Sequence, residues 1–146
     1  MDREKDIRLT VRSDPHLLAS IRCLVRGWVE SWEFSDSAAQ QVVLAIDEAC
    51  ANAIRHAYGG RNDGCVELTL HAEPEFLEFQ VSDQGVPCPP ECSRYRPIET
   101  PDSKDLQPGG LGVQLMYEVF DDVHFCPGAA VGNCVTMKLN RTKRGI

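Results

Sequence analysis

Glu48-Ala49-Cys50-Ala51-Asn52-Ala53-Ile54-Arg55-His56-Ala57-Tyr58 is the stretch on which the fold of this chain turns. Glu48, Asn52 and His56 recur at every fourth position, so on a helix they form one polar stripe. Val42, Ile46, Ala49 and Ala53 occupy neighbouring positions, which sets that stripe at or near the buried side. A carboxylate and a carboxamide one turn apart can divide phosphoryl transfer between them. Asn52 offers an oxygen to Mg2+, which prefers oxygen ligands. Glu48 can accept the proton of an attacking hydroxyl, or position that hydroxyl. The same three residue types also suit a plain exposed helix face, so the flanking sequence decides between the two.

Working outward, Ser35-Asp36-Ser37 caps this helix at its start and Gly59-Gly60 ends it just after Tyr58. Upstream, Ile7, Leu9 and Val11 alternate with polar residues and predict a strand. Ser13-Asp14-Pro15 then opens a first helix. Its apolar stripe is Leu17, Leu18, Ile21, Leu24, Val25, Trp28, Val29 and Trp32, with both tryptophans read as core. Downstream, Val66, Leu68 and Leu70 share one strand face, and Leu77, Phe79 and Val81 share another, with Glu73-Pro74-Glu75 as the turn. A third helix carries Leu115, Met116, Val119 and Phe120, and two last strands fall near residues 123–126 and 134–139. Helices segregated from runs of strands predict an α+β fold, a two-layer sandwich. Its sheet would be mixed but mostly antiparallel, with three helices on one face.

Two further motifs carry chemistry. In Val81-Ser82-Asp83-Gln84-Gly85, Asp83 keeps the parity of Leu77, Phe79 and Val81 and so points toward the core at a strand end. A carboxylate is almost never fully buried without a partner, and an inward Asp beside a glycine suits an N–H donor such as the amino group of adenine. A plain turn is the alternative. Gly109-Gly110-Leu111-Gly112 opens the third helix, where free N–H groups and the helix dipole favour anions. It is neither a Walker A loop nor a dinucleotide fingerprint. Between the two motifs, residues 86 to 108 hold six of the chain's nine prolines and show neither helical nor strand period. A loop of that length in a small domain suits a lid.

In this order the motifs resemble the GHKL ATPase/kinase superfamily. Within it, the stretch from Glu48 to Tyr58, the run from Val81 to Gly85 and the run from Gly109 to Met116 look like the anti-sigma-factor serine kinases of the RsbW type. The resemblance covers nearly the whole chain. It implies the Bergerat α/β sandwich as one domain over residues 1–146, with ATP held under a lid at about residues 86–112. Carried over by position, Glu48 is the catalytic base and Asn52 the Mg2+ ligand. Asp83, supported by Gly85, binds adenine, and Gly109, Gly110, Leu111 and Gly112 form the phosphate turn. The implied activity is a protein serine/threonine kinase that binds a sigma factor and phosphorylates a small antagonist protein in a partner switch. A homodimer is implied as well.

Three positions depart from the family pattern. Val86-Pro87 replaces a second glycine after Asp-x-Gly, and Gln107-Pro108 stands where some relatives place an arginine for the γ-phosphate. Lys104, Arg94 and Arg96 are candidate substitutes. Cys134 replaces a threonine that meets adenine through water. None touches Glu48, Asn52 or Asp83. Two alternatives remain: a non-catalytic module that uses ATP to set its shape for a partner, and a sensor histidine kinase domain. The second needs a helical hairpin with a phospho-accepting His, and residues 1–12 read as a strand instead.

Composition bounds the rest. A chain of 146 residues with 42% hydrophobic and 25% charged residues is an ordinary globular composition. No apolar run approaches the roughly 20 residues of a membrane span, and the charged start of the chain does not suit a secretory signal. The expectation is a cytoplasmic protein that inserts into no membrane. A net charge of −7 argues against nonspecific nucleic-acid binding. Seven cysteines suit no closed disulfide framework. Cys88 and Cys92 have the spacing of half a metal site, but no second pair completes it.

Overall fold

The computed structural model describes residues 7–59, 61–86, 110–126 and 132–143. Along them run β1 (Ile7–Arg12), α1 (Leu18–Ser31), α2 (Asp36–Asn52), β2 (Cys65–Ala72), β3 (Phe76–Asp83), α3 (Gly110–Val119), β4 (Asp122–Phe125) and β5 (Asn133–Asn140). The strands form one five-stranded sheet in the order β1-β2-β3-β5-β4.

Local chemistry sets the element boundaries. Asp14 accepts the His16 amide at 2.9 Å and caps a single 3-10 turn, Pro15–Leu17, that leads into α1. Ser35 accepts the Ala38 amide at 3.2 Å and caps α2. Past α1, Glu33 takes φ of 67°, the left-handed conformation that stops a helix.

Register puts the apolar residues of every central strand on one face. Val66 pairs with Asp83, Leu68 with Val81, Leu70 with Phe79 and Ala72 with Leu77, and on the far side Val81 pairs with Val135 and Phe79 with Met137. The helices cover that face. Phe79, fully buried, meets Trp28 of α1 and Phe120 just past α3, each with ring centroids 5.4 Å apart. Burying an aromatic side chain of this kind stabilises by roughly 2–3 kcal/mol. Trp28 is buried as expected. Trp32 is only partly so, packing edge-on against Trp28 with the Arg141 guanidinium over its ring.

Every described ladder is antiparallel, within the expectation of a mixed but mostly antiparallel sheet. The connection from β3 through α3 does return the chain in the direction of β3, but β5 inserts between β3 and β4 and pairs antiparallel with both.

Candidate functional site

The α-helix of α2 stops at Asn52, and Ala53–Ala57 continue it as a π-helical turn rather than as the single α-helix to Tyr58 that the sequence suggests. Such turns often mark functional sites. Ala49, Cys50, Ala51, Ala53 and Ile54 are buried, while Glu48 and Asn52 lie half-buried at the rim of the core. Burial pushes the Cys50 thiol up to about 12, so it is an inert core residue. Arg55 Nη2 lies 3.4 Å from Glu48 Oε2 and 3.4 Å from Asn52 Oδ1. Positions 48, 52 and 55 follow the i, i+4, i+7 spacing of one helix face. The side chain of His56, third in the expected stripe, lies outside the described residues. Arg22 of α1 pairs with Asp47 at 2.9 Å and ties down the residue preceding Glu48.

The glycine motif meets this stripe. A Cβ placed on Gly112 would lie 2.8 Å from Glu48 Oε2 and 3.0 Å from Glu48 Cβ, so the first turn of α3 rests directly on Glu48. Gly110 and Leu111 open the same turn, whose amides make an anion-favouring end. Gly109, most of the expected lid, the Cys88/Cys92 pair, Arg94, Arg96 and Lys104 lie outside the described residues.

Asp83 forms a second cluster at the end of β3. It is only 7% exposed, on the face of Leu77, Phe79 and Val81. Its Oδ1 accepts the Gly85 amide at 2.9 Å and Asn133 Nδ2 at 3.1 Å, and Asn133 also donates to the Val86 carbonyl at 2.9 Å. Burial pushes the Asp83 carboxyl above its ordinary 3.8, and these hydrogen bonds pull it partway back. An inward carboxylate fixed by neighbouring donors suits a ligand that brings an N–H group.

Tyr58 joins the two clusters. Its hydroxyl donates to the Cys65 carbonyl at 2.6 Å and accepts the Gln84 amide at 2.8 Å, so the exit of the π turn is pinned to the turn after Asp83. Gly64 makes room for the ring, because a Cβ there would lie 2.3 Å from Tyr58 Cε1. Gly132, with φ of 81°, packs so closely on β3 that a Cβ would lie 1.9 Å from the Asp83 carbonyl oxygen. Ser13, fully buried, donates to the Arg61 carbonyl and accepts the Gly64 amide at 3.0 Å, closing the loop beneath Tyr58.

Arg55, Tyr58, Gly64, Gly132 and Asn133 escaped the sequence reading. Only Arg55 left a legible signal, the seven-residue step from Glu48. Cys134, one residue past Asn133, lies on the opposite face of β5 and accepts Gln80 Nε2 at 3.1 Å. Across the ladder, the Cys126 amide donates to the Cys134 carbonyl at 3.0 Å, and burial together with Cys134 pushes the Cys126 thiol up to about 11. Among the described residues no group of three or more His, Cys, Asp or Glu is placed to hold a metal ion, and no helix is long and apolar enough to cross a membrane.

Residues 11–139 match the family model of the histidine kinase-like ATPase domain. The serine-protein kinase RsbW of Bacillus licheniformis is 31% identical over 98% of this chain and 92% of its own length. The serine-protein kinase RsbW of Bacillus subtilis is 28% identical over 92% of this chain and 86% of its own. Among solved structures, the RsbU and RsbW domains of Rv1364c from Mycobacterium tuberculosis superpose with a TM-score of 0.64 at 18% identity, a likeness of fold. The match covers 97% of this chain but only 34% of that one.

Proposed function

The chain belongs to the histidine kinase-like ATPase domain family, and from that membership we propose that it is a protein serine kinase of the RsbW type. ATP binding comes with the family. The observation that carries the kinase reading is the contact of the Gly112 turn with Glu48, one helical turn from Asn52, with the turn after Asp83 tied to the end of the same helix through Tyr58. The serine-protein kinase RsbW relatives support it along almost the whole chain.

Asp83 accepts the adenine amino group, and Gly85 and Asn133 hold its carboxylate in place to do so. Gly109, Gly110, Leu111 and Gly112 offer backbone N–H groups to the phosphates, with glycine at position 112 letting α3 sit against Glu48. Asn52 fits a hard cation: its Oδ1 is an oxygen donor at a helix end, already facing the positive charge of Arg55. Bound Mg2+ would neutralise phosphate charge there. Glu48 takes the proton from a serine hydroxyl as that oxygen bonds to the terminal phosphorus and ADP departs. Residues from about 86 to 112 act as the lid, in a single domain that spans residues 1–146.

The protein substrate is a serine or threonine on a small antagonist protein, and the second partner is a sigma factor that the kinase sequesters. The kinase works as a homodimer in the cytoplasm and contacts nucleic acid only through its partners. Phosphate transfer from labelled ATP to a candidate antagonist tests the assignment. Glu48→Gln should lower transfer by roughly 100-fold or more, the usual scale for loss of a general base, with ATP affinity retained. A variant that transfers at the wild-type rate would remove Glu48 from the chemistry. Absence of transfer by the wild type to any antagonist would favour a binding module.

A further inference from the structure

Glu48 and Asn52 already share a cation. Arg55 reaches both through one nitrogen, 3.4 Å from Glu48 Oε2 and 3.4 Å from Asn52 Oδ1. These are the two atoms to which the kinase reading gives the proton and the metal. Arg55 is placed there by the π-helical turn that follows Asn52. Among the described residues, Arg22 of α1 is held instead by Asp47, the residue before Glu48, at 2.9 Å.

Resting on the assignment of Asn52 as the Mg2+ ligand, we propose that Arg55 is an internal stand-in for the divalent cation. In the nucleotide-free protein it neutralises Glu48 and occupies Asn52 Oδ1, and Mg2+ arriving with ATP displaces it from that oxygen.

Charge and donor chemistry support the exchange. A guanidinium donates hydrogen bonds and cannot give up its proton, so it cannot turn into a ligand beside the metal. Two positive groups on one carboxamide oxygen repel each other, and Mg2+ tolerates little distortion of its oxygen shell. Binding of the metal therefore requires Arg55 to leave Oδ1. The contact is also weak enough to be exchanged. The Arg55 and Glu48 side chains are 48% and 35% exposed, which places the pair in the class that water and salt screen most. The consequence is a Mg2+ requirement set partly by Arg55: the empty site stays close to neutral, and the base is covered until metal and nucleotide arrive together.

The test is ATP affinity measured by calorimetry across a series of free Mg2+ concentrations, for the wild type, Arg55→Gln and Arg55→Lys. Arg55→Gln should reach half-maximal affinity at a Mg2+ concentration roughly two- to five-fold lower, the scale of an exposed ion pair. Arg55→Lys, which keeps the charge, should stay near the wild type. Because Arg55 is exposed, both variants should keep the wild-type urea midpoint. An unchanged midpoint for Arg55→Gln overturns the proposal. A midpoint that rises overturns it in the other direction, since the guanidinium would then be assisting the nucleotide phosphates. A wild type that binds ATP with no dependence on Mg2+ removes the metal assignment of Asn52 itself, and Asn52→Ala with wild-type Mg2+ dependence does the same.

Discussion

Replacing Tyr58 with Phe removes one oxygen and leaves two backbone groups without their partner. The hydroxyl spans the Cys65 carbonyl at 2.6 Å and the Gln84 amide at 2.8 Å, on a side chain only 6% exposed. Each such bond contributes about 0.5–1.5 kcal/mol net, and an orphaned buried group costs about 1–3 kcal/mol. Cys65 and Gln84 are themselves exposed, so water can reach part of the vacated geometry and the lower end applies. The expected loss is about 1–2 kcal/mol, seen as a lower urea midpoint with an unchanged slope. In a domain of this size that lowers Tm by about 3–6 °C. Gln84 follows Asp83 directly, so ATP affinity should fall several-fold as the turn loosens. A loss under about 0.3 kcal/mol would show that the hydroxyl is replaceable by solvent. A normal loss of stability with wild-type ATP affinity would refute the idea that Tyr58 positions the adenine end of the site.

Gly132→Ala should be severe, because the residue sits at φ of 81° and its Cβ would fall 1.9 Å from the Asp83 carbonyl oxygen. Strain and overlap together predict a loss of about 3 kcal/mol or more, and a variant as stable as the wild type in urea would contradict the packing. The raised Asp83 carboxyl makes a pH prediction with a definite sign. A group whose folded pKa exceeds its unfolded one stabilises fully below the unfolded value, here 3.8, and loses that contribution as pH rises through the folded value. Ionised Asp83 therefore costs stability at neutral pH. Asp83→Asn should be more stable than the wild type at pH 7, by a margin that shrinks toward pH 4. Urea unfolding at both values checks it, and a margin that grows toward pH 4 reverses the sign.

How far the fold and site can be read from the residues depends on how local each signal is. Asp83 was legible because strand parity is fixed at two: once Leu77, Phe79 and Val81 are the inner face, residue 83 has no choice of side. The start of α3 was legible because glycines and a following apolar stripe punctuate the chain locally. The strand order was not, since the insertion of β5 between β3 and β4 depends on tertiary packing rather than on either strand's pattern. The switch from α to π geometry at Ala53 carries no composition signal in a run of Ala, Ile and Arg. Asn133 and Gly132 reach Asp83 from some 50 positions away. A single sequence does not announce contacts of that range, because they exist only once the sheet has formed. Gly64 belongs to the same class, its value visible only beside the Tyr58 ring.

Binding of ATP with Mg2+ to the wild type and to Asp83→Asn, measured by calorimetry, addresses the nucleotide site most directly. Micromolar affinity in the wild type, weakened about ten-fold or more by the substitution (about 1.4 kcal/mol), is the expected outcome. Equal affinity in the two proteins would take Asp83 out of the site. No binding by a well-folded wild type would leave the Bergerat scaffold as a surface for protein contacts and end the kinase assignment.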